Sequence, residues 1–131
     1  MASWNTIKSN LFTHLDNNVS VPIAWPNSPF TMPQGQVWIR PNFLQVDNFN
    51  IVIDKENKRK TGILLIQVFA PLNKGDQEAI SMVDQLDTLF TNQRINYTVC
   101  ESAVPRHIGD EGNGWYQINV NIDFWHDDSC E

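Results

Sequence analysis

The side chains with the greatest capacity for catalysis in this sequence are a thiol and an imidazole, Cys100 and His107. A thiolate is a strong nucleophile when a neighbouring base takes its proton, so this pair is the candidate for covalent catalysis. Their spacing along the chain does not by itself show whether the two groups are close in space. The sequence also has no G-x-S-x-G, H-E-x-x-H, C-x-x-C or phosphate-binding glycine motif. We therefore predict that the protein is not an enzyme and has no catalytic residues.

A second group of reactive side chains lies at the C-terminus, in the run His126-Asp127-Asp128-Ser129-Cys130-Glu131. Nothing in the sequence fixes the geometry of these metal-capable groups, and a solvated acidic end is the simpler interpretation. The glycines at 109, 112 and 114 could cradle an anion. Because no lysine and no helix accompanies them, a flexible connection is favoured. We predict neither a metal site nor a cofactor.

Length and charge limit the remaining classes of function. The chain has 131 residues, with nine Lys and Arg against fifteen Asp and Glu, and a formal net charge of -6. We expect a single domain over residues 1–131. An acidic protein is poorly suited to grip nucleic acid, which requires a basic surface that neutralises phosphates. No apolar run approaches the roughly 20 residues of a membrane-spanning helix, and no secretory signal is present. The sequence thus predicts no membrane partner.

Two features favour contacts with other protein chains. Four basic residues fall within six positions, Lys55, Lys58, Arg59 and Lys60, at the predicted tip of a β-hairpin over 54–60. Such a tip is either solvated or docked on the acidic flank of a neighbouring copy. Trp125 shares the parity of the polar residues in the last strand, so its ring is expected to face outward. We predict that these five residues contribute to a subunit interface.

The spacing of apolar residues predicts two helices. The first covers residues 3–16, has Ser3 as its N-cap and buries Trp4, Ile7, Leu11 and Leu15. His14 is expected to interact with the last carbonyls of that helix. The second begins after Asp76 and is expected to bury Ala79, Ile80, Val83, Leu86 and Phe90. Between the first helix and the first strand, four prolines from 22 to 33 predict an extended arm.

Alternating or continuous apolar residues predict strands near 36–46, 49–53, 62–70, 95–99 and 116–124, with a glycine-rich loop over 105–114 before the last. The strand over 62–70 is apolar on both faces, which indicates a central position. The sequence therefore predicts an α+β fold. We expect a mixed, mostly antiparallel sheet of about four to five strands with two helices packed on one face.

Several stretches, taken in order, carry a resemblance to a known family. They are the N-terminal helix, the segment Pro22-Ile23-Ala24-Trp25-Pro26-Asn27-Ser28-Pro29-Phe30, the strand Val37-Trp38-Ile39-Arg40-Pro41, the strand and turn from Gly62 to Gly75, the second helix and the run Gly114-Trp115-Tyr116-Gln117-Ile118-Asn119-Val120. In this order they resemble small phage proteins related to the lambda-type tail terminator, over nearly the whole chain.

The resemblance implies a structural protein of the virion tail. Such a protein assembles in the host cytoplasm as a homo-oligomeric ring on the finished tail tube, and in this family the ring is expected to be a hexamer. It contacts the tail tube protein and a head-completion or neck protein, while DNA passes through the lumen without specific binding. In such a ring, the polar residues of the last strand are candidates for the lumen wall: Gln117, Asn119, Asn121 and Asp123.

Three other interpretations compete with the tail terminator. A neck or head-completion protein would have the same size, acidity and tendency to form rings. A small ligand- or carbohydrate-binding module would use the tryptophans as stacking surfaces. An enzyme would use Cys100 or His107.

Overall fold

The computed structural model describes residues 3–50, 58–72, 75–110 and 114–127, which form a five-stranded sheet and two helices. The elements are α1 (Trp4–Asn18), β1 (Trp38–Asn50), β2 (Lys58–Pro71), α2 (Gln77–Phe90), β3 (Arg94–Ile95), β4 (Thr98–Asp110) and β5 (Trp115–Asp127). The strands lie side by side in the order β1-β2-β5-β4-β3, and neighbouring strands are antiparallel. The predicted α+β fold is confirmed.

The hydrophobic core lies between one face of the sheet and both helices. Alternate residues of β2 and β5 point to this face, and they pack with apolar residues of α1 and α2 in one continuous cluster. Its most buried members are Ile7, Leu11, Leu15, Leu64, Ile66, Leu86, Phe90, Ile118 and Ile122. The prediction that both helices pack on one face is therefore confirmed. β2 is central, as its apolar sequence indicates, because it pairs with β1 on one side and with β5 on the other.

The helices begin where their sequences predict, but two of their side chains differ from expectation. Ser3 accepts a hydrogen bond from the Thr6 amide at 3.1 Å and caps α1. Ile80 was expected in the core and is 38% exposed, because it lies on the outer flank of α2, while Met82 is buried in the core instead. His14 does not bind the carbonyls of its own helix. Its Nε2 atom lies 3.0 Å from the carbonyl oxygen of Leu89 and so joins α1 to the end of α2.

Two predicted loops are shorter than expected because their residues pair in the sheet. β2 already begins at Lys58, so Arg59 and Lys60 lie within a strand, opposite Asp127 and His126 of β5. The prediction of a hairpin tip over 54–60 is therefore wrong for Lys58, Arg59 and Lys60, and Lys55 lies outside the described residues. Likewise, β4 extends to Asp110, so the prediction of a loop over 105–110 is wrong.

Gly62 is needed where β1, β2 and β5 meet. A Cβ atom at this position would collide with the ring of Phe124 and would lie 2.5 Å from the backbone oxygen of Leu44. We expect Gly62→Ala to lower the free energy of unfolding by about 1–3 kcal/mol, because the ring or the strand must shift. Urea denaturation measures this. Thr61→Ser, a neighbouring change on the other face, should cost less than about 0.5 kcal/mol. Equal stability of Gly62→Ala and the parent protein would contradict this account of the packing.

Candidate interaction surface

The face of the sheet opposite the helices has no covering helix among the described residues, and we call it the open face. Strand alternation and register assign its members. They are Arg40, Asn42 and Leu44 of β1, Arg59, Thr61, Ile63, Leu65, Gln67 and Phe69 of β2, Val104 and Arg106 of β4, and Gln117, Asn119, Asn121, Asp123 and Trp125 of β5. The open face therefore crosses four strands.

One end of the open face is closed by the proline-containing arm. The arm joins the sheet through a parallel bridge between Ile23 and Ile39. Next to this bridge, the ring of Trp38 stacks on Phe69 at 4.2 Å between centroids and meets Trp115 edge to face at 5.7 Å. Phe30 of the arm covers the ring of Trp38 at 5.1 Å. Since Trp38 is 1% exposed, it belongs to a second small core and cannot serve as an external stacking surface.

The rest of the open face exposes apolar side chains. Leu44, Val46 and Val104 are 43%, 62% and 57% exposed, respectively, and Val46 lines a cleft of this face with Ile63 and Trp125. Three of the six large apolar side chains that are exposed in the described part of the chain therefore lie here. Exposed apolar groups gathered on one face are typical of a surface that contacts another molecule.

A row of polar residues crosses the same face from edge to edge. The register places Arg40 of β1 beside Gln67 of β2, Gln67 beside Asn119 of β5, and Asn119 beside Arg106 of β4. Asn42 donates a hydrogen bond to Gln67 at 3.3 Å, and Gln117 donates one to Asn119 at 2.7 Å. The row thus has uncharged amides at its centre and an exposed guanidinium at each end.

Two of the predicted interface residues, Arg59 and Trp125, lie at one end of the open face, near the start of β2. Arg59 forms a bidentate ion pair with Asp127, in which Nε donates to Oδ1 at 2.6 Å and Nη2 donates to Oδ2 at 2.7 Å. Its guanidinium also lies over the ring of Trp125, 4.6 Å from the centroid. Trp125 is on the open face, as its parity predicts, but it is half-buried. The charge of Arg59 is therefore balanced within the subunit, while Lys60 points to the core face and is only 6% exposed.

The four residues predicted as candidates for a lumen wall do share one face, and their exposure differs. Gln117 is 8% exposed, Asn119 and Asn121 are half-buried, and Asp123 is exposed. Arg40 and Arg106 flank these residues, so the face contains positive as well as negative charges. Whether the face borders a channel remains a prediction.

The candidate thiol and imidazole are not brought together. Cys100 is 0% exposed on the core face of β4, and His107 is exposed seven residues further along that strand, roughly 20 Å away. Burial raises the pKa of the Cys100 thiol from 9.0 to about 12. The Nδ1 atom of His107 instead lies 3.3 Å from the hydroxyl of Tyr116. This arrangement cannot form a thiolate–imidazole pair.

The C-terminal run of metal-capable groups begins inside β5 and continues beyond the described residues. His126 is buried, and its Nδ1 atom lies 3.1 Å from the Thr98 hydroxyl. Asp127 is bound to Arg59. Within the described part of the chain, no group of three or more His, Cys, Asp or Glu side chains is placed to hold a metal ion. In that same part, no helix is long and apolar enough to cross a membrane.

Thiol reactivity tests the placement of Cys100. In a Cys130→Ser variant, Cys100 should not react with a thiol reagent at pH 8 in the native protein and should react fully in denaturant, because the buried thiol stays protonated and inaccessible. Burial raises the thiol pKa from 9.0 to about 12. This group therefore leaves the free energy of unfolding independent of pH below about pH 9, and it lowers that free energy as the pH rises from about 9 towards 12. Rapid reaction of the native protein would show that Cys100 is accessible.

The chain is similar to known proteins in sequence and in fold. A family model described as "Phage tail terminator protein" matches residues 4–124. No curated protein matches the chain. One solved structure has the same fold, with a TM-score of 0.71 over 97% of this chain and 96% of the other, at 16% sequence identity. The family match covers both helices and all five strands, up to the last residues of β5, and so the chain belongs to the phage tail terminator family.

Proposed function

We propose that the protein forms a ring, most simply a hexamer, on the head-proximal end of the tail tube. The ring stops polymerisation of the tube and presents the surface to which the head is joined. Its partners are further copies of this chain, the tail tube protein and a head-completion or neck protein. Family membership over residues 4–124 is the observation that carries this proposal.

The surface of the protein supports an assembly role. The open face exposes Leu44, Val46 and Val104 beside polar residues, which is the composition of a protein contact surface. Trp125 lies on this face, and an aromatic ring with a flanking guanidinium is common at the centre of interfaces. Among the predicted basic contacts, Arg59 is paired with Asp127 and Lys60 is buried, so neither charge is free for a neighbouring copy. We keep Lys55 and Lys58 as proposed contacts.

The passage of DNA is compatible with this assignment. The chain carries a net charge of -6, so each subunit adds negative charge to a ring. A negative ring weakens nonspecific binding of phosphates and lets DNA pass. We therefore propose that DNA traverses the assembled ring without a specific contact.

Mixing purified protein with isolated tail tubes tests the proposed function. Negative-stain imaging should show added density at one end of each tube, and these tubes should no longer elongate when tube protein is supplied. Density on DNA-filled heads, with bare tubes that still elongate, would identify a neck protein instead.

The variant Trp125→Ala tests, in the same assay, whether Trp125 contributes to the proposed interface. We expect it to reduce the fraction of capped tubes, while the free energy of unfolding of the free subunit falls by about 1–3 kcal/mol, because the ring is half-buried and contacts the guanidinium of Arg59. Tyr97→Ala, which removes another exposed aromatic ring, should cap tubes normally. Normal capping by Trp125→Ala, or a large loss of subunit stability, would remove Trp125 from the proposed interface.

A further inference from the structure

A group of acidic residues lies on α2 and at its N-cap, on the side of the sheet opposite the open face. α2 and its N-cap residue contain Asp76, Glu78, Asp84 and Asp87 and no lysine or arginine. These side chains are exposed. Asp76 occupies the N-cap position of α2, yet its side chain makes no capping hydrogen bond. The helix therefore presents carboxylates whose charges have no cationic partner on the helix itself.

Three of these carboxylates share one flank of α2 with an exposed apolar side chain. Asp76, Ile80, Asp84 and Asp87 are separated by four, four and three residues, so they lie within about 80° on the helix surface. Ile80 is the exposed large apolar residue of this helix, at 38%. We call this row the acidic flank of α2.

The polar row of the open face between Arg40 and Arg106 has the complementary pattern, and the exposed carboxylate of Asp123 lies four residues further along β5 from this row. Arg40 and Arg106 are exposed and, among residues 3–50, 58–72, 75–110 and 114–127, neither has an ion-pair partner. They stand at the two ends of a polar row that borders Leu65 and Val104. Unpaired cations and exposed apolar groups on one surface match unpaired carboxylates and an exposed isoleucine on the other.

The dimensions of the two surfaces also agree. Arg40 and Arg106 are separated by three strand spacings, roughly 14 Å. Asp76 and Asp87 are eleven residues apart on α2, roughly 16 Å along the helix axis. A helix laid across the open face can therefore place a carboxylate near each arginine and an apolar side chain between them.

One molecule cannot satisfy this match by itself, because α2 packs on the core face of its own sheet. We propose that the acidic flank of α2 in one copy docks on the open face of the next copy, with its carboxylates near Arg40 and Arg106. The two surfaces differ, so the contact is head-to-tail, and repetition around an axis closes a ring. This inference rests on the proposed function and names the surfaces through which its ring forms. It places Gln117, Asn119 and Asn121 within a subunit contact instead of on a lumen wall.

Charge reversal with mixing tests the contact. The sheet variant is Arg40→Glu with Arg106→Glu, and the helix variant is Asp76→Lys with Asp84→Lys and Asp87→Lys. Lysine is favourable in the last turns of a helix, and Asp76 makes no capping hydrogen bond that its replacement would remove, so the helix variant should fold. Each variant alone opposes like charges in every contact, and we expect the protein concentration needed for half-assembly on tail tubes to rise about tenfold or more.

An equimolar mixture of the two variants should restore assembly. When copies alternate, each reversed sheet meets a reversed helix, and each parental sheet meets a parental helix. Native mass spectrometry should then show rings with an even number of subunits and equal numbers of the two variants. Glu78→Lys and Arg94→Glu are matched controls on other exposed surfaces, and they should assemble like the parent protein. Circular dichroism confirms that each variant is folded.

The outcomes separate this inference from the proposed function. If the parent protein forms rings on tubes and both variants do so equally well alone, the inference is overturned and the proposed function stands. If the mixture assembles no better than the separate variants, the surfaces do not face each other and the inference is overturned. A sheet variant that assembles normally but no longer retains DNA on a filter would assign the arginines to DNA. A parent protein that stays monomeric with and without tubes overturns both proposals.

Discussion

A β-strand directs its side chains alternately to two faces of a sheet, and in this protein helices cover only one of them. The long pairing of β2 with β5 places Leu64, Ile66, Ile118 and Ile122 together on the covered face. Burial of that face against α1 and α2 supplies the apolar burial on which a single small domain depends. The same alternation directs the remaining residues of both strands to the opposite face. The open face is therefore a direct consequence of how the core is built.

The chemistry of the open face fits contact with protein better than catalysis. Its groups are exposed aliphatic side chains, amides, three arginines and the carboxylate of Asp123, while the thiol of Cys100 is protonated and buried on the other side of the sheet. The ion pair between Arg59 and Asp127 is internal and fixes β2 against the end of β5. These features agree with a family whose members are structural components of phage tails. Arg40, Arg106 and the carboxylates of α2 are among the exposed charges without an ion-pair partner in the described part of the chain.

The fold was largely predictable because its strongest signals are local. The spacing of Ile7, Leu11 and Leu15 and the alternation of β5 each identify an element without knowledge of its partners. The open face was less predictable, since strand order and register depend on pairing between distant parts of the chain. Arg40 and Arg106 are 66 residues apart in sequence and become ends of one row only through that register. For the same reason Arg59 and Lys60 were expected in a loop, because their pairing with β5 leaves no local trace in the sequence.

Membership in the tail terminator family and the one-sided packing of the sheet lead to the same expectation, that the open face is covered when the protein assembles. Hydrogen–deuterium exchange of the free subunit and of the protein bound to tail tubes measures this directly. The account predicts that assembly slows exchange in the edge strand Trp38–Asn50, in the part of Thr98–Asp110 beyond its two-residue pairing with β3, and in the helix Gln77–Phe90. The contact covers these segments and opposes the local opening that exchange requires. Unchanged exchange in these three segments, with new protection confined to Trp4–Asn18 and the arm, would contradict it.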